Sequence, residues 1–364
     1  MNTRTLKILG TAVIALVLVW LLLDSGGNQS QASSGLLPTL KAQINDVDSL
    51  AIRQGESITT IDRRDDNWTV RERNGYAADV GSVREVMIAL SDAKILELKT
   101  SNPEKYGVLG VADIDSGGDG SELTINVGDE KLAVIIGGTA QSEYRYARIL
   151  GEEQSLLIDQ NPTIPDSTGS WLRTDVIDIA ANRIGSVVIN HADGEVLELS
   201  KANAESSAFD VSNLPAGREL TYPTVANAVG EVLAGLSLED VQQADDALDP
   251  ITTAVFTTFD GLVISASEYS IDGASWFRFR ASVEQAATET ESEADDTVAS
   301  EDTSGQDEVA DDDGEADSAA DPVAEADAIN ARVAGWLYAV AESSASSLQQ
   351  RMSDLLAPEE AVAD

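Results

Sequence analysis

Apolar and polar positions change their period along this chain in an order that occurs twice. In Val47 to Arg53 (VDSLAIR), Ser57 to Arg63 (SITTIDR) and Asn67 to Glu72 (NWTVRE), apolar residues alternate with polar ones, the pattern of half-buried antiparallel strands. Turn residues Gln54-Gly55 and Asp65-Asp66 separate them. The period then lengthens: Val83, Val86, Met87, Leu90 and Ile95 recur at helical spacing through DVGSVREVMIALSDAKILEL, with Asp79 placed to cap the helix. Further strands are predicted at Glu122 to Val127, Lys131 to Ile136, Tyr144 to Ile149 and Ser155 to Ile158, with Gly128-Asp129 and Gly137-Gly138 as turns. Trp171, Leu172, Val176 and Ile179 predict a helix over Pro165 to Ile179 that closes the unit.

The second stretch repeats this order. Ile184 to Asn190 (IGSVVIN), Glu195 to Lys201 (EVLELSK) and Ala208 to Ser212 (AFDVS) stand for the three opening strands, and Thr224 to Leu238 stands for the helix. Thr253 to Thr258, Leu262 to Tyr269 and Ser275 to Arg280 correspond to the later strands. Gly335 to Ala341 (GWLYAVA) matches Ser155 to Ile158, and Ser343 to Leu356 supplies a final helix. Such self-similarity defines an architecture before any motif is weighed. The predicted class is α+β: two tandem repeats of an antiparallel-sheet-plus-helix unit, residues 44–182 and residues 183–282 plus 328–357.

Two segments fall outside the repeat. Arg4 and Lys7 precede Ile8 to Leu23 (ILGTAVIALVLVWLLL), an uncharged run of 16 residues that spans about 24 Å as a helix, somewhat short of a hydrocarbon core. We read residues 1–24 as an uncleaved transmembrane signal anchor and 25–43 as a tether, while Ser30-Gln31-Ala32 leaves a cleaved signal peptide as the alternative. The positive residues before the run place the amino terminus in the cytoplasm and the body in the periplasm of a bacterial inner membrane. Residues 283–327 read as a disordered acidic insertion: positions 284 to 327 hold 18 Asp or Glu and no Lys or Arg. Residues 358–364 read as a disordered carboxyl end.

Composition narrows the chemistry. At 364 residues and 43% hydrophobic, the chain has material for real cores. A net charge of -41 without a clustered Lys/Arg stripe excludes a nucleic-acid partner. Cysteine is absent, which removes disulfides, thiolate nucleophiles and Cys metal sites, and His191 is the sole histidine. It stands before a predicted hairpin turn at Asp193-Gly194 and reads as an exposed polar residue. Asp113 to Gly120 lacks the ligand spacing of an EF-hand calcium loop. Gly137-Gly138-Thr139 lacks the Gly-Lys-Ser/Thr of a phosphate loop. No catalytic, cofactor or metal residue is assigned.

With the apolar amino-terminal run, the segments NWTVRERNGYAADVGSVREVMIALSDAKILEL, SNPEKYGVLG, LAVIIGGTAQSEYRYARI and the late GWLYAVA and LQQRMSDLL give an order that resembles the bacterial domain-of-unknown-function 4340 family. Ala77 departs from the family pattern, in which a proline commonly precedes the Ala-Asp pair. The resemblance implies an envelope protein, often found beside ABC-type transporter components, and supplies no catalytic site.

One paired aromatic and basic feature remains. Alternation puts Tyr144, Tyr146 and Arg148 on one strand face, and Trp276, Arg278 and Arg280 on one face of the counterpart strand. These six form the candidate ligand or partner surface, against the blander reading that the aromatics fill a core while the arginines pair with acids. The expected function is a non-enzymatic, membrane-anchored periplasmic accessory or scaffold protein of an envelope complex, with transporter or envelope proteins as partners. The alternative is a binding module for cell-wall glycan or another envelope ligand. A hydrolase built on paired carboxylates is the remaining class.

Overall fold

The alternating segments at the start of the body pair with one another, since only a sheet satisfies their backbone groups while burying every second side chain. The computed structural model describes residues 34–65, 67–140, 143–284 and 321–358. The chain divides into two compact units at Arg173/Thr174, each built on a nine-stranded antiparallel sheet. The class is therefore α+β.

In the first unit, α1 (Pro38–Ala42) precedes β1 (Val47–Gln54), β2 (Ser57–Arg64), β3 (Asn67–Val70) and β4 (Tyr76–Ala77). Helix α2 (Val80–Asp92) follows, capped by Asp79, whose Oδ1 accepts the Gly81 N–H at 2.8 Å. Its stripe of Val83, Val86, Met87 and Leu90 is buried. Next come β5 (Ile95–Leu98), the short α3 (Tyr106–Leu109), β6 (Ser121–Val127), β7 (Glu130–Ala140), β8 (Tyr144–Ile149) and β9 (Ser155–Ile158). Their order across the sheet is β4-β3-β2-β1-β6-β7-β8-β9-β5.

The second unit contains β10 (Asp175–Ile177), β11 (Ile184–His191), β12 (Val196–Ser200), β13 (Asp210–Val211), α4 (Asn227–Glu231), β14 (Leu236–Gln243), β15 (Thr252–Thr258), β16 (Leu262–Ile271) and β17 (Ala274–Val283). After α5 (Pro322–Val333) come β18 (Trp336–Val340), α6 (Glu342–Leu348) and α7 (Met352–Leu355). The sheet order is β10-β14-β18-β17-β16-β15-β11-β12-β13.

Read from opposite ends, eight strands of each sheet follow one connectivity, β3-β2-β1-β6-β7-β8-β9-β5 and β13-β12-β11-β15-β16-β17-β18-β14. The irregularities coincide too. Register shifts between Val47 and Ser49 and between Ile184 and Ser186 on the opening strands, and between Ile95 and Glu97 on β5 and between Leu238 and Asp240 on β14. After its last strand, each unit returns to make an isolated bridge just before its helix, Ala78 with Leu172 and Leu220 with Leu356.

Several sequence expectations change. Residues 34–43, read as tether, belong to the first unit: Gly35 bridges Lys94, and Leu36, Leu37 and Leu40 are buried. Pro165 to Ile179 is not a helix but a 3-10 turn (Gly169–Trp171) followed by β10, because the open edge of β14 takes up the β-branched Val176 and Ile177. The helix over Thr224 to Leu238 contracts to α4. Gly235, at φ 66, ends the turn, after which Leu236 and Leu238 alternate as strand residues. Residues 321–327, assigned to the insertion, open α5 behind the Asp321 cap. The final helix breaks at Gln349 to Arg351. The apolar run at 8–23 and the residues 285–320 lie outside the described residues. Among those described, no helix is long and apolar enough to cross a membrane.

Candidate functional site

The two aromatic-basic strands occupy equivalent positions. Leu156 pairs with Ala147 and Leu98 as Tyr338 pairs with Phe277 and Val241, so Tyr146 corresponds to Trp276 and Arg148 to Arg278. Tyr144 then has Ala274 as its counterpart, and Arg280 has Leu150.

Arg148 is 4% exposed. Its Nε donates to Val111 O at 2.9 Å, Nη1 donates to Glu152 O at 3.1 Å, and Nη2 is paired with Asp113. The guanidinium carbon also stands 4.8 Å from the centre of the Tyr106 ring. Tyr146 packs on a small apolar cluster of Tyr106, Val111 and Ile135. Both side chains therefore hold the segment from Tyr106 to Asp113 onto the sheet, Arg148 buried and Tyr146 half-buried. Arg278 pairs with Asp246 at 2.6 Å in the equivalent connection of the second unit, so each sheet uses an arginine at this place to fasten its own loop. Tyr144 and Trp276 are partly buried, and Arg280 is exposed. Within the first unit Tyr146 and Arg148 thus face their own loop, and within the second Arg278 does the same.

The fastened segment explains two sequence motifs. Gly137-Gly138 is not a turn: β7 runs through it with a register shift, and a Cβ at Gly137 would lie 2.3 Å from Leu109 O. Close backbone approach requires glycine there. Two of the three acids of the calcium-like run are engaged by arginines, Asp113 by Arg148 and Asp115 by Arg53 at 2.5 Å. The Arg53 hydrogen bond holds the Asp115 carboxyl below the usual carboxylate range. Among the described residues, no group of three His, Asp or Glu is placed to hold a metal ion.

His191 is buried, contrary to its expected exposure, because it ends β11 beneath the chain that returns after β18. Its Nε2 faces Gln350 O at 3.2 Å, and its Nδ1 faces Thr252 Oγ1 at 3.3 Å. A carbonyl can only accept, so Nε2 is the donor to Gln350 O. Beside it, the buried Glu268 accepts from Ser275 Oγ at 2.7 Å and from Gln349 Nε2 at 2.6 Å. Arg351 pairs with Asp193 at 2.9 Å and with Glu195. These contacts tie Gln349 to Arg351 across the sheet and break the helix predicted there.

An open groove of about 350 Å³ along α2 is the feature that the sequence reading missed. Trp68, Val80, Met87 and Ile88 line it, with Arg63 and Arg84 among the same lining residues. Val80 and Ile88 are 40% and 46% exposed. A signal existed, since both are apolar yet lie off the buried stripe of α2. Arg84 is exposed, while Arg63 donates to Asn45 O at 2.6 Å. An apolar floor beside cations suits a protein segment that carries aliphatic side chains and a carboxylate, and it offers no nucleophile or acid-base pair.

A family model described as a domain of unknown function, DUF4340, matches residues 68–252, from β3 of the first sheet to the start of β15 in the second. The match includes α2 and the fastened segment. No curated protein and no solved structure matches this chain.

Proposed function

This chain belongs to the DUF4340 family, and we propose that it acts as a non-enzymatic, membrane-anchored docking scaffold of the bacterial envelope. Residues 8–23 are the anchor in this reading, with the amino terminus cytoplasmic, the body periplasmic, and residues 285–320 a solvated acidic loop inserted before α5. The two units are tandem copies of one fold, residues 34–173 and 174–358. Their shared strand order, shared register shifts and shared return bridges support that reading.

The observation that carries the scaffold role is the groove along α2. Its partner is a segment of an envelope protein, in our reading a transporter component, presenting aliphatic side chains to Trp68 and Ile88 and a carboxylate to Arg84. A glycan module has less support, because Arg148 and Tyr146 are turned to their own loop. A photo-crosslinker placed at Ile88 in intact cells is expected to capture one membrane-complex protein, and Arg84→Glu to weaken the capture. Absence of any crosslink from Ile88, alongside specific glycan binding by the purified chain that is lost in Trp276→Ala, would replace the scaffold with the glycan module.

A further inference from the structure

The edge strand β5 of the first sheet differs from its counterpart β14 in chemistry and in cover, since β10 pairs along β14 and no strand pairs along the outer side of β5 among the described residues. The shared register shift makes Leu96 and Leu98 of β5 equivalent to Glu239 and Val241 of β14. Glu239 is a polar, exposed residue and Val241 is 2% exposed, whereas Leu96 and Leu98 are 45% and 48% exposed. Shortly after β5 comes the tip of α3, where Val108 is 87% exposed. An open depression of about 350 Å³ there is lined by Lys99, Thr100, Lys105, Val108 and Leu109. Residues 94–109 carry three lysines against two glutamates, in a chain whose net charge is -41. Scattered exposed apolar side chains are ordinary. An apolar tip flanked by lysines, in a local reversal of charge, is what a lipid headgroup layer accommodates.

The occupant follows from where the described chain starts. Ser34 O accepts the Ile95 N–H at 3.0 Å, and Gly35 bridges Lys94, so the amino-terminal segment reaches the first unit at the β5 edge. Residues 24–33 extend at most about 36 Å from the end of the apolar run. The inference rests on the anchored reading proposed above, which makes this edge the part of the unit leashed to the bilayer. We infer that the β5 edge and the Val108 tip dock onto the anionic phospholipid surface of the membrane that holds the anchor. Val108 enters the headgroup layer and the exposed Lys105 meets lipid phosphates, while Lys99, paired with Glu97 at 2.7 Å, exchanges that carboxylate for a phosphate. The leash raises the local concentration of that surface, so a weak intrinsic affinity suffices. Each lysine near such a surface strengthens binding by about fivefold, and the attraction fades beyond about 8 Å at physiological salt.

The absence of cysteine permits a direct test. The full chain carrying V108C, labelled with an environment-sensitive dye, is reconstituted into vesicles of phosphatidylethanolamine and phosphatidylglycerol, with L214C as the control position. The expected result is a chain that resists carbonate extraction, with the dye at 108 shifted to the blue and quenched by spin-labelled lipid while the dye at 214 is not. The quenching should fall by more than tenfold in K99E/K105E or in vesicles of phosphatidylcholine alone. A chain that resists carbonate with a water-exposed dye at 108 overturns the docking surface and leaves the anchor standing. A chain released by carbonate overturns the anchor and the docking inference together. A blue shift that lipid quenchers do not reach, and that needs other membrane proteins, makes the tip a protein contact and also overturns the inference.

Discussion

Replacing Arg148 by leucine distinguishes an internal clamp from a ligand surface. The substitution leaves the carbonyl of Val111, a fully buried residue, without its charged donor, which costs about 1–3 kcal/mol. Loss of the cation from the Tyr106 ring costs about 0.5–2 kcal/mol more. Asp113 contributes under about 1 kcal/mol because its side chain is 55% exposed, and water can serve the carbonyl of the exposed Glu152. The total is about 1.5–6 kcal/mol, or roughly 5–20 °C in the melting of the first unit. The equivalent Arg278→Leu should cost less than about 1 kcal/mol, since its partner Asp246 is 84% exposed. Urea denaturation gives the stabilities, and hydrogen exchange locates the loss at the amide of Val111, bonded to Tyr106 O within the fastened segment, and at those of Gly117 and Gly118 in the turn that follows it. Arg148→Lys should not restore it, because an ammonium cannot reach three acceptors in a fork. Equal costs for the two arginines, or an unchanged Val111 amide after Arg148→Leu, would refute the reasoning.

Three further outcomes are expected. Gly230→Ala places a Cβ 2.0 Å from the ring of the buried Phe209 and should destabilise the second unit by about 1–3 kcal/mol in urea melts. Replacing residues 285–320 with a short Gly/Ser linker should leave the melting temperature unchanged, while deletion of 284–327 should lower it. The larger deletion removes the Asp321 cap, the buried Ala326 and the carboxylate of Glu325 that holds Arg183 at 2.7 Å. The carboxyl of Asp193 is held below its ordinary range, first by the Glu195 backbone N–H and then by Arg351. A depressed folded pKa stabilises above the unfolded value of about 3.9 and loses that contribution as pH falls through the folded value. The Glu195 amide resonance, whose N–H donates to Asp193 Oδ1 at 3.1 Å, should therefore report loss of this contact below about pH 4, and Arg351→Gln should move that change to higher pH.

The alternating segments were legible because each strand buries one face, and period two records that burial directly in the residues. Tyr144–Ile149 and Ser155–Ile158 fall where alternation puts them, and Asp79 caps α2 as its position before the helical stripe implies. The correspondence of the two stretches was legible for the same reason. It could not show that residues 34–43 pack into the first unit or that the units divide at Arg173/Thr174, since short edge pairings such as Gly35 with Lys94 leave almost no periodic trace. The aromatic-basic site was legible as residues but not as a role. Strand alternation puts Tyr146 and Arg148 on the same face without saying whether water or another part of the chain lies over it.

By itself, then, the sequence determined the elements whose burial is periodic, their repeated order, the acidic composition and the absence of thiol chemistry. Tertiary structure alone decided three matters: that Arg148 clamps an internal loop, that His191 lies beneath the returning chain, and that α2 leaves an apolar groove open. Each depends on a contact between residues far apart in the chain. A local pattern of polarity records whether a position avoids water, and it carries no information about which distant segment does the covering.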